Sequence, residues 1–273
     1  MPIVTASLYG GLGNQLFQIA ATIAFSLKHG LIHQFKQSPN LGKRPTYWTN
    51  FLHKIKNLTE HLDTSGFITI NEDSYGMVPG DSVVLDDYFQ SPRFFNDCRE
   101  QILDIFDIET HRCTVQQKYN VIESSISIHF RRGDYKQLLG CHPILPDDYY
   151  TESIYYILTQ DSSITHIYYY CEDEDAADIE RVITEFKTLF EGLSWSRMKA
   201  DADWEEMVCM SCSRHHVIAN SSFSWWGAYL STNNIVEKNI VKNIICYPAL
   251  WFGPLIQKDV STMFPSDWIK IWI

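Results

Sequence analysis

The sequence predicts an α/β protein built from two similar halves, with a ligand-binding crevice between them. Three observations carry this. Short β-branched or aromatic runs alternate with longer helical segments along the chain. The alternation weakens once, at "TVQQKYNVIE" (114–123), and then restarts. Glycine-, arginine- and serine-rich strings fall where strands hand over to helices, the place where open parallel sheets hold their ligands.

Taken in order, "IVTASLY" (3–9) reads as a strand and "NQLFQIAATIAFSLKHG" (14–30) as a helix ended by Gly30. Residues 37–62 read as loop, around Pro39, Gly42 and Pro45. "SVVLDDYF" (82–89) is a strand, Ser91-Pro92 a turn, and "FFNDCREQILDIFDI" (94–108) a helix. A boundary at 118/119 separates a domain 1–118 from a domain 119–273. The second opens with "SISIHF" (125–130) as a strand and "DDYYTESIYYILTQ" (147–160) as a helix, introduced by Pro146 and acidic first-turn residues. A strand at 165–171, an acidic start and helix at 172–190, and a helix at 203–213 follow. A short strand at 215–220, a helix at 221–232 and a closing strand at 243–248 complete the pattern.

The 273 residues suffice for a real core, and 45% apolar with 20% charged residues describe an ordinary globular chain. A net charge of −11 argues against nucleic acid as a partner. A local cluster of donors would still serve a small anion. The 8 Trp and 15 Tyr fit a core as well as a surface that stacks on sugars or bases. No basic leader precedes the first strand and no apolar run approaches the ~18 residues of a membrane span. Seven scattered cysteines, with C-x-x-C spacing only at Cys209 and Cys212, suggest packed thiols in a reducing, cytoplasmic setting. A zinc site would need a second ligand pair, and His215-His216 lie too close, so no metal is expected. The sequons at Asn57 and Asn220 carry no weight in that setting.

Three strand ends look suited to an anion. In "YGGLGNQ" (9–15), Gly10, Gly11 and Gly13 permit a tight turn whose amides open a helix N-terminus, although the same glycines serve a plain strand-to-helix turn. In "HFRRGDY" (129–135), alternation puts His129 and Arg131 on one face and Ile128 and Phe130 on the other. Arg131 and Arg132 then stand at a strand's carboxyl end, where guanidinium forks match phosphate. A structural Arg131–Asp134 pair is the plainer reading of that string. In "IANSSFSWWGAYL" (218–230), Ser221, Ser222 and Ser224 can cap a helix or hold phosphate oxygens, and the neighbouring aromatics read mainly as core. Together the three junctions point to a diphosphate in the interdomain crevice. Glu172 and Asp173, after "YYYC", could read guanine's two adjacent donors, or could simply complement a helix dipole.

The string His129–Asp134 (H-x-R-R-x-D) resembles the signature of fucosyltransferases that use GDP-fucose. "GGLGNQLFQ", "DDYFQSPRFF" (86–95), "MSCSRHHVIANSSFSWWGAYL" (210–230) and "YPALWF" (247–252) are similar, in the same order, to glycosyltransferase family 11, which contains the α-1,2-fucosyltransferases. The resemblance spans residues 9 to about 252. It implies a GT-B fold of two Rossmann-like domains with the active site in the cleft, the first domain on the acceptor side and the second binding GDP-fucose. It also implies an inverting mechanism with no required metal or other cofactor, and a glycan acceptor ending in galactose. By position, Arg131 matches the arginine that holds the β-phosphate, with Arg132 in support. His129 and Asp134 match donor-site positions, and Ser222, Phe223 and Ser224 match the phosphate loop. Gly10, Gly11, Gly13 and Asn14 match the glycine loop, with Asn14 beside the reacting centre. Departures are Cys171-Glu172-Asp173 for the usual Ser-Asp-Asp, Glu206 for an aspartate, and Asp87-Tyr88-Phe89 for Gly-Tyr-Phe. The base-reading carboxylate is therefore open among Glu172, Asp173 and Glu206. Rival readings are a nucleotide-sugar transferase with another donor, or a nucleotide- or glycan-binding module without chemistry.

Overall fold

The computed structural model describes residues 1–77, 79–231 and 242–272. Two compact units emerge, Met1–His111 with Ser261–Pro265 and Arg112–Val260 with Ser266–Ile273.

The first unit contains β1 (Ile3–Ala6), α1 (Leu12–His29), β2 (Ile32–His33), β3 (Phe35–Lys36), β4 (Asn40–Leu41), β5 (Arg44–Pro45), β6 (Leu58–Thr59), β7 (Ile68–Ile70), β8 (Val83–Leu85) and α2 (Arg99–Ile105). Its main sheet has the order β2-β1-β8-β7, parallel throughout. The segment expected as loop carries the small pairs β3-β6 and β4-β5. Helix α1 is buried at nearly every position from Leu12 to Ser26, which is why its apolar content is not confined to one stripe. Gly30, at φ 65°, supplies the left-handed C-cap. The single helix expected over 94–108 is instead two 3-10 turns followed by α2. Asp107, at φ 55°, ends that run, since a left-handed residue cannot continue a helix.

Helix α3 (Ile108–Tyr119) follows at once and ends before Asn120, at φ 53°. The expected boundary at 118/119 thus falls at the end of this helix, whereas the division of the chain lies at His111/Arg112. The break in composition marks a polar helix rather than a linker.

The second unit continues with β9 (Ser125–His129), α4 (Asp147–Gln160), β10 (His166–Tyr170), α5 (Ala176–Leu189), β11 (Ser194–Arg197), α6 (Asp203–Ser211), β12 (His215–Val217), α7 (Ser222–Tyr229), β13 (Ile245–Pro248) and β14 (Ile269–Ile271). Residue 232, the expected end of the seventh helix, lies outside the described residues. All six strands are parallel in the order β11-β10-β9-β12-β13-β14. Counted along the chain from β9 this is 3-2-1-4-5-6, the doubly wound Rossmann arrangement. On one face Ile126, Ile128 and Phe130 pack with Ile154 and Ile157 of α4 and Ile179 and Ile183 of α5. The alternate residues are small and polar: Ser125 Oγ donates to Ser213 Oγ (3.0 Å), and Ser127 Oγ meets His216 Nδ1 (2.7 Å). The strand is therefore buried on both faces while still alternating in character.

Candidate active site

In a 3-2-1-4-5-6 sheet the connections leave strand 1 and strand 4 in opposite directions, and the crevice opens at their carboxyl ends. Here those ends are His129 of β9 and Val217 of β12. The loops that follow are tied together. Tyr135 donates its hydroxyl to Asn220 O (3.0 Å), and Asn220 Nδ2 donates to Pro143 O (2.9 Å) and Trp251 O (3.3 Å). The rings of His129 and Phe223 lie 5.8 Å apart across the junction.

Arg131 leaves β9 with its fork engaged on both sides. Nη1 donates to Glu172 Oε1, Nη2 donates to Asp134 Oδ1 (2.6 Å), and the guanidinium stands 5.1 Å over the Tyr135 ring. Arg132 Nη2 reaches Asp147 Oδ1 in the first turn of α4 (3.2 Å). Between the arginines' loop and α5 lies Asp175, fully buried, which accepts from Gly133 N–H (2.6 Å) and from Lys136 Nζ (2.5 Å). Those donors hold its carboxyl below the usual range despite burial. A Cβ at Gly133 would meet Glu172 Oε2, so a larger residue in this turn would require that carboxylate to move aside. His129 is buried, its Nδ1 has no partner, and burial with the nearby Arg131 pulls its pKa down to about 3. It is a neutral imidazole.

At the start of α7, Ser221 Oγ caps the helix by accepting from Phe223 N–H (3.3 Å). Ser224 is buried and its hydroxyl donates to Ala219 O (3.5 Å) and Ser221 O (3.4 Å). Ser222, the first helical residue, is half-buried. Trp225 and Trp226 are core, as the bulk of the "FSWW" string was expected to be.

The three carboxylates considered for base reading differ in their surroundings. Glu172 holds Arg131. Asp173 lies between Arg197 Nη2 and Lys199 Nζ, each at 2.6 Å. Glu206, in the first turn of α6, accepts from Ala200 N–H (3.2 Å) and has no ion pair among the described residues. Burial pushes its pKa up. Its neighbour Glu205 is committed to Lys118 Nζ and Tyr119 OH, each at 2.8 Å. Cys209 on the same helix and Cys212 at its C-cap are buried thiols with pKa values raised by burial, Cys212 to about 11, which suits packing rather than reactivity. No two of the described cysteines form a disulfide.

In the first unit the corresponding junction lies between β1 and β8, neighbours at the middle of the sheet. Gly10, at φ 86°, turns the chain, and a Cβ there would stand 2.6 Å from Asn14 Nδ2. Gly11 is the N-cap position of α1, and Gly13 is buried inside its first turn. Three amide side chains of α1 secure the loops. Asn14 Oδ1 accepts from Gln90 Nε2 (2.9 Å). Gln15 Nε2 donates to Gly10 O (3.1 Å) and Pro45 O (3.0 Å). Gln18 Oε1 accepts from Tyr9 N–H (3.1 Å) and its Nε2 donates to Asp87 O (3.4 Å). This explains the spacing of polar residues in "GNQLFQ". Sequence reasoning singled out Asn14 and missed Gln15, Gln18 and Gln90, as well as Tyr135, Asp175, Arg197 and Lys199. Polar residues inside an otherwise apolar helix were the available signal for the glutamines.

Among the described residues no helix is long and apolar enough to cross a membrane. The Glycosyl transferase family 11 model matches residues 3–245. An alpha-1,2-colitosyltransferase of Escherichia coli is 26% identical over 99% of both chains. The O-antigen biosynthesis glycosyltransferase WbnK of Escherichia coli is 26% identical over 67% of this chain and 59% of that protein. Among solved structures, the E. coli ADP-heptose LPS heptosyltransferase II superposes with a TM-score of 0.52, over 99% of this chain and 90% of that one, at 9% identity, a likeness of fold alone. The fold is of the GT-B type, two Rossmann-like units. With its parallel strand ends, its arginine pair and this match over most of its length, the chain belongs to glycosyl transferase family 11 and is a glycosyltransferase of the fucosyltransferase-like kind.

Proposed function

We propose that the chain transfers L-fucose from GDP-β-L-fucose to a sugar hydroxyl of a glycan acceptor, in α-1,2 linkage to galactose, with inversion and without a metal ion. The observation that carries this reading is Arg131. It stands at the carboxyl end of β9, at the sheet's switch point, with its fork held open by two solvent-accessible carboxylates that a diphosphate can replace. The acceptor hydroxyl oxygen bonds to the anomeric carbon from the face opposite the donor phosphate and gives up its proton to solvent. The bond from that carbon to the β-phosphate oxygen breaks, and its electron pair leaves with GDP. Arg131 and Arg132 act on the charge that builds there, where preorganised donors are most effective.

Glu206 is the carboxylate we assign to guanine. It is half-buried, its pKa is raised by desolvation, and unlike Glu172 and Asp173 it has no cation bonded to it among the described residues. Two adjacent N–H donors would relieve it. Glu172, Glu174 and Asp175 come within 4.8 Å of one another, a grouping that could hold a cation. Glu172 and Asp175 already accept from Arg131, Lys136 and Gly133 N–H, which supports charge neutralisation by the chain's own donors. A cytoplasmic setting is part of the same reading, on the scattered spacing of the seven cysteines.

A second donor has a specific observation behind it, the end-to-end match to an alpha-1,2-colitosyltransferase. Colitose is L-fucose without its 3-hydroxyl, so both donors suit the same diphosphate and base contacts. A site that hydrogen-bonds the 3-hydroxyl would reject the deoxy sugar strongly, whereas an apolar one would discriminate weakly. The test is incubation with GDP-fucose or GDP-colitose and an acceptor panel, with linkage analysis of the product. It is paired with thermal stabilisation by GDP, UDP and ADP. GDP should stabilise by about 2–3 kcal/mol at 100 times its Kd, and the others far less. Equal stabilisation by UDP would remove the GDP-sugar reading.

A further inference from the structure

The first unit's strand ends hold a second constellation that the donor chemistry does not use. Tyr9 and Tyr88 pack edge to face with centroids 4.6 Å apart. Both are half-buried, and Asp86 and Asp87 precede Tyr88 on the same loop, Asp86 exposed and Asp87 half-buried. The loop is rigidly set. Phe89 is fully buried and sits at φ 53°, a conformation a bulky residue adopts only when its surroundings hold it there. Tyr75 and Phe94 do so, with ring centroids at 5.6 and 5.2 Å. Gln18 and the Asn14–Gln90 bond fasten the same loop to α1. Gln15, wholly buried at the foot of this turn, has no partner for its Oε1.

We propose that these strand ends form a subsite for an uncharged hexopyranose, in which the Tyr88 ring, braced by Tyr9, meets the sugar's apolar face while Asp86 and Asp87 turn away anionic sugars. This deepens the transferase reading, on which it rests, by assigning its acceptor's side. Sugar recognition combines flat aromatic area with a few placed polar groups, and that is what the loop offers. A diphosphate fits poorly beside two carboxylates. The field they create is already visible on Tyr9, whose hydroxyl is pushed up to about 12 by burial and then by Asp87, Tyr88 and Asp86, so it stays a hydrogen-bond donor. Asp87 also orders the loop by accepting from Tyr88 N–H (2.8 Å) and, weakly, from Glu72 N–H (3.5 Å). Asparagine keeps an acceptor there while removing the charge.

The experiment is a saturation-transfer NMR titration of the full chain, saturated with GDP, using methyl β-galactoside and methyl β-galacturonoside as probes. The wild type should bind the neutral glycoside at least about fivefold more tightly than the carboxylate, as expected for like charges at a partly solvated site. That gap should shrink with added salt. Tyr88→Ala should weaken neutral binding about tenfold and Tyr88→Phe should not. Asp86→Asn/Asp87→Asn should close most of the gap and leave neutral binding near that of the wild type. Equal wild-type affinity for the two glycosides, unchanged binding in a folded Tyr88→Ala protein, or absence of saturable binding each overturns the proposal. Stabilisation by GDP is measured on the same samples. Its loss in the wild type would sink the donor reading and leave the glycoside result standing by itself.

Discussion

Replacing Arg131 with alanine separates structural from functional electrostatics at the strand end. The side chain is 21% exposed, and its partners Asp134 and Glu172 are 52% and 40% exposed. Pairs this open contribute about 0–1 kcal/mol each, because water screens them and two long side chains must be ordered. Their carboxylates return to solvent when the arginine is gone. The stability cost is therefore ~1 kcal/mol, a few degrees in Tm at this chain length. The cost to transfer is larger. Two charge-assisted bonds from the fork to a diphosphate are worth ~3–5 kcal/mol, less the ~1 kcal/mol needed to release Asp134 and Glu172. The net of ~3 kcal/mol corresponds to a loss of about 10²-fold or more in kcat/KM. Arg131→Lys should recover little, since a point charge lacks the fork. The assays are steady-state transfer at fixed acceptor and urea denaturation of the same preparations. Near-wild-type turnover in a folded Arg131→Ala protein would refute the diphosphate role. A stability loss above ~3 kcal/mol would show the arginine to be a structural strut instead.

Glu172→Gln should tighten GDP binding about three- to tenfold by removing the carboxylate that competes for Arg131. Weaker GDP binding with loss of preference over UDP would assign base reading to Glu172 and withdraw it from Glu206. Transfer should survive EDTA, and a block reversed by Mg²⁺ or Mn²⁺ would make the Glu172, Glu174 and Asp175 grouping a metal site. Stability should fall on acidification below neutrality. His129 and His216 are buried, with pKa values lowered to about 3 from 6.5. The unfolded chain therefore takes up protons below pH 6.5 that the folded chain refuses until about pH 3. Between pH 7 and 5 each histidine costs the fold roughly 2 kcal/mol, and His216→Asn should flatten the slope. Equal urea midpoints at the two pH values would contradict this.

Fold class and the strand-to-helix junctions were legible because each depends on local pattern. The run "SISIHF" alternates, the glycines of "YGGLGNQ" permit the turn, and the helix at 147–160 appears where its acidic first turn announced it. Strand β11 was missed because it is a half-exposed edge, Ser-Trp-Ser-Arg, without an apolar run, whereas β14, the opposite edge, lies in "WIKI" (268–271), an alternation that carried a strand signal and was passed over. The partners within the site were not legible. That Glu172 would face Arg131, and Asp173 Arg197 and Lys199, depends on which loops the parallel register brings together. Residues 41 and 24 positions apart meet only in the folded sheet.

The chain visits its units more than twice. After the long second segment ends at Val260, Ser261–Pro265 rejoins the first unit, where Ser91 Oγ donates to Thr262 O (2.5 Å), before β14 closes the second sheet's edge. During synthesis, then, the first unit cannot be finished when its own 111 residues have left the ribosome. Both units wait for the same late stretch of about a dozen residues. A nonsense codon just after Val260 would spare nearly every residue named in the site, yet leave two incomplete units rather than one complete and one damaged. It also means that neither half can be exchanged between relatives by a single crossover in the gene.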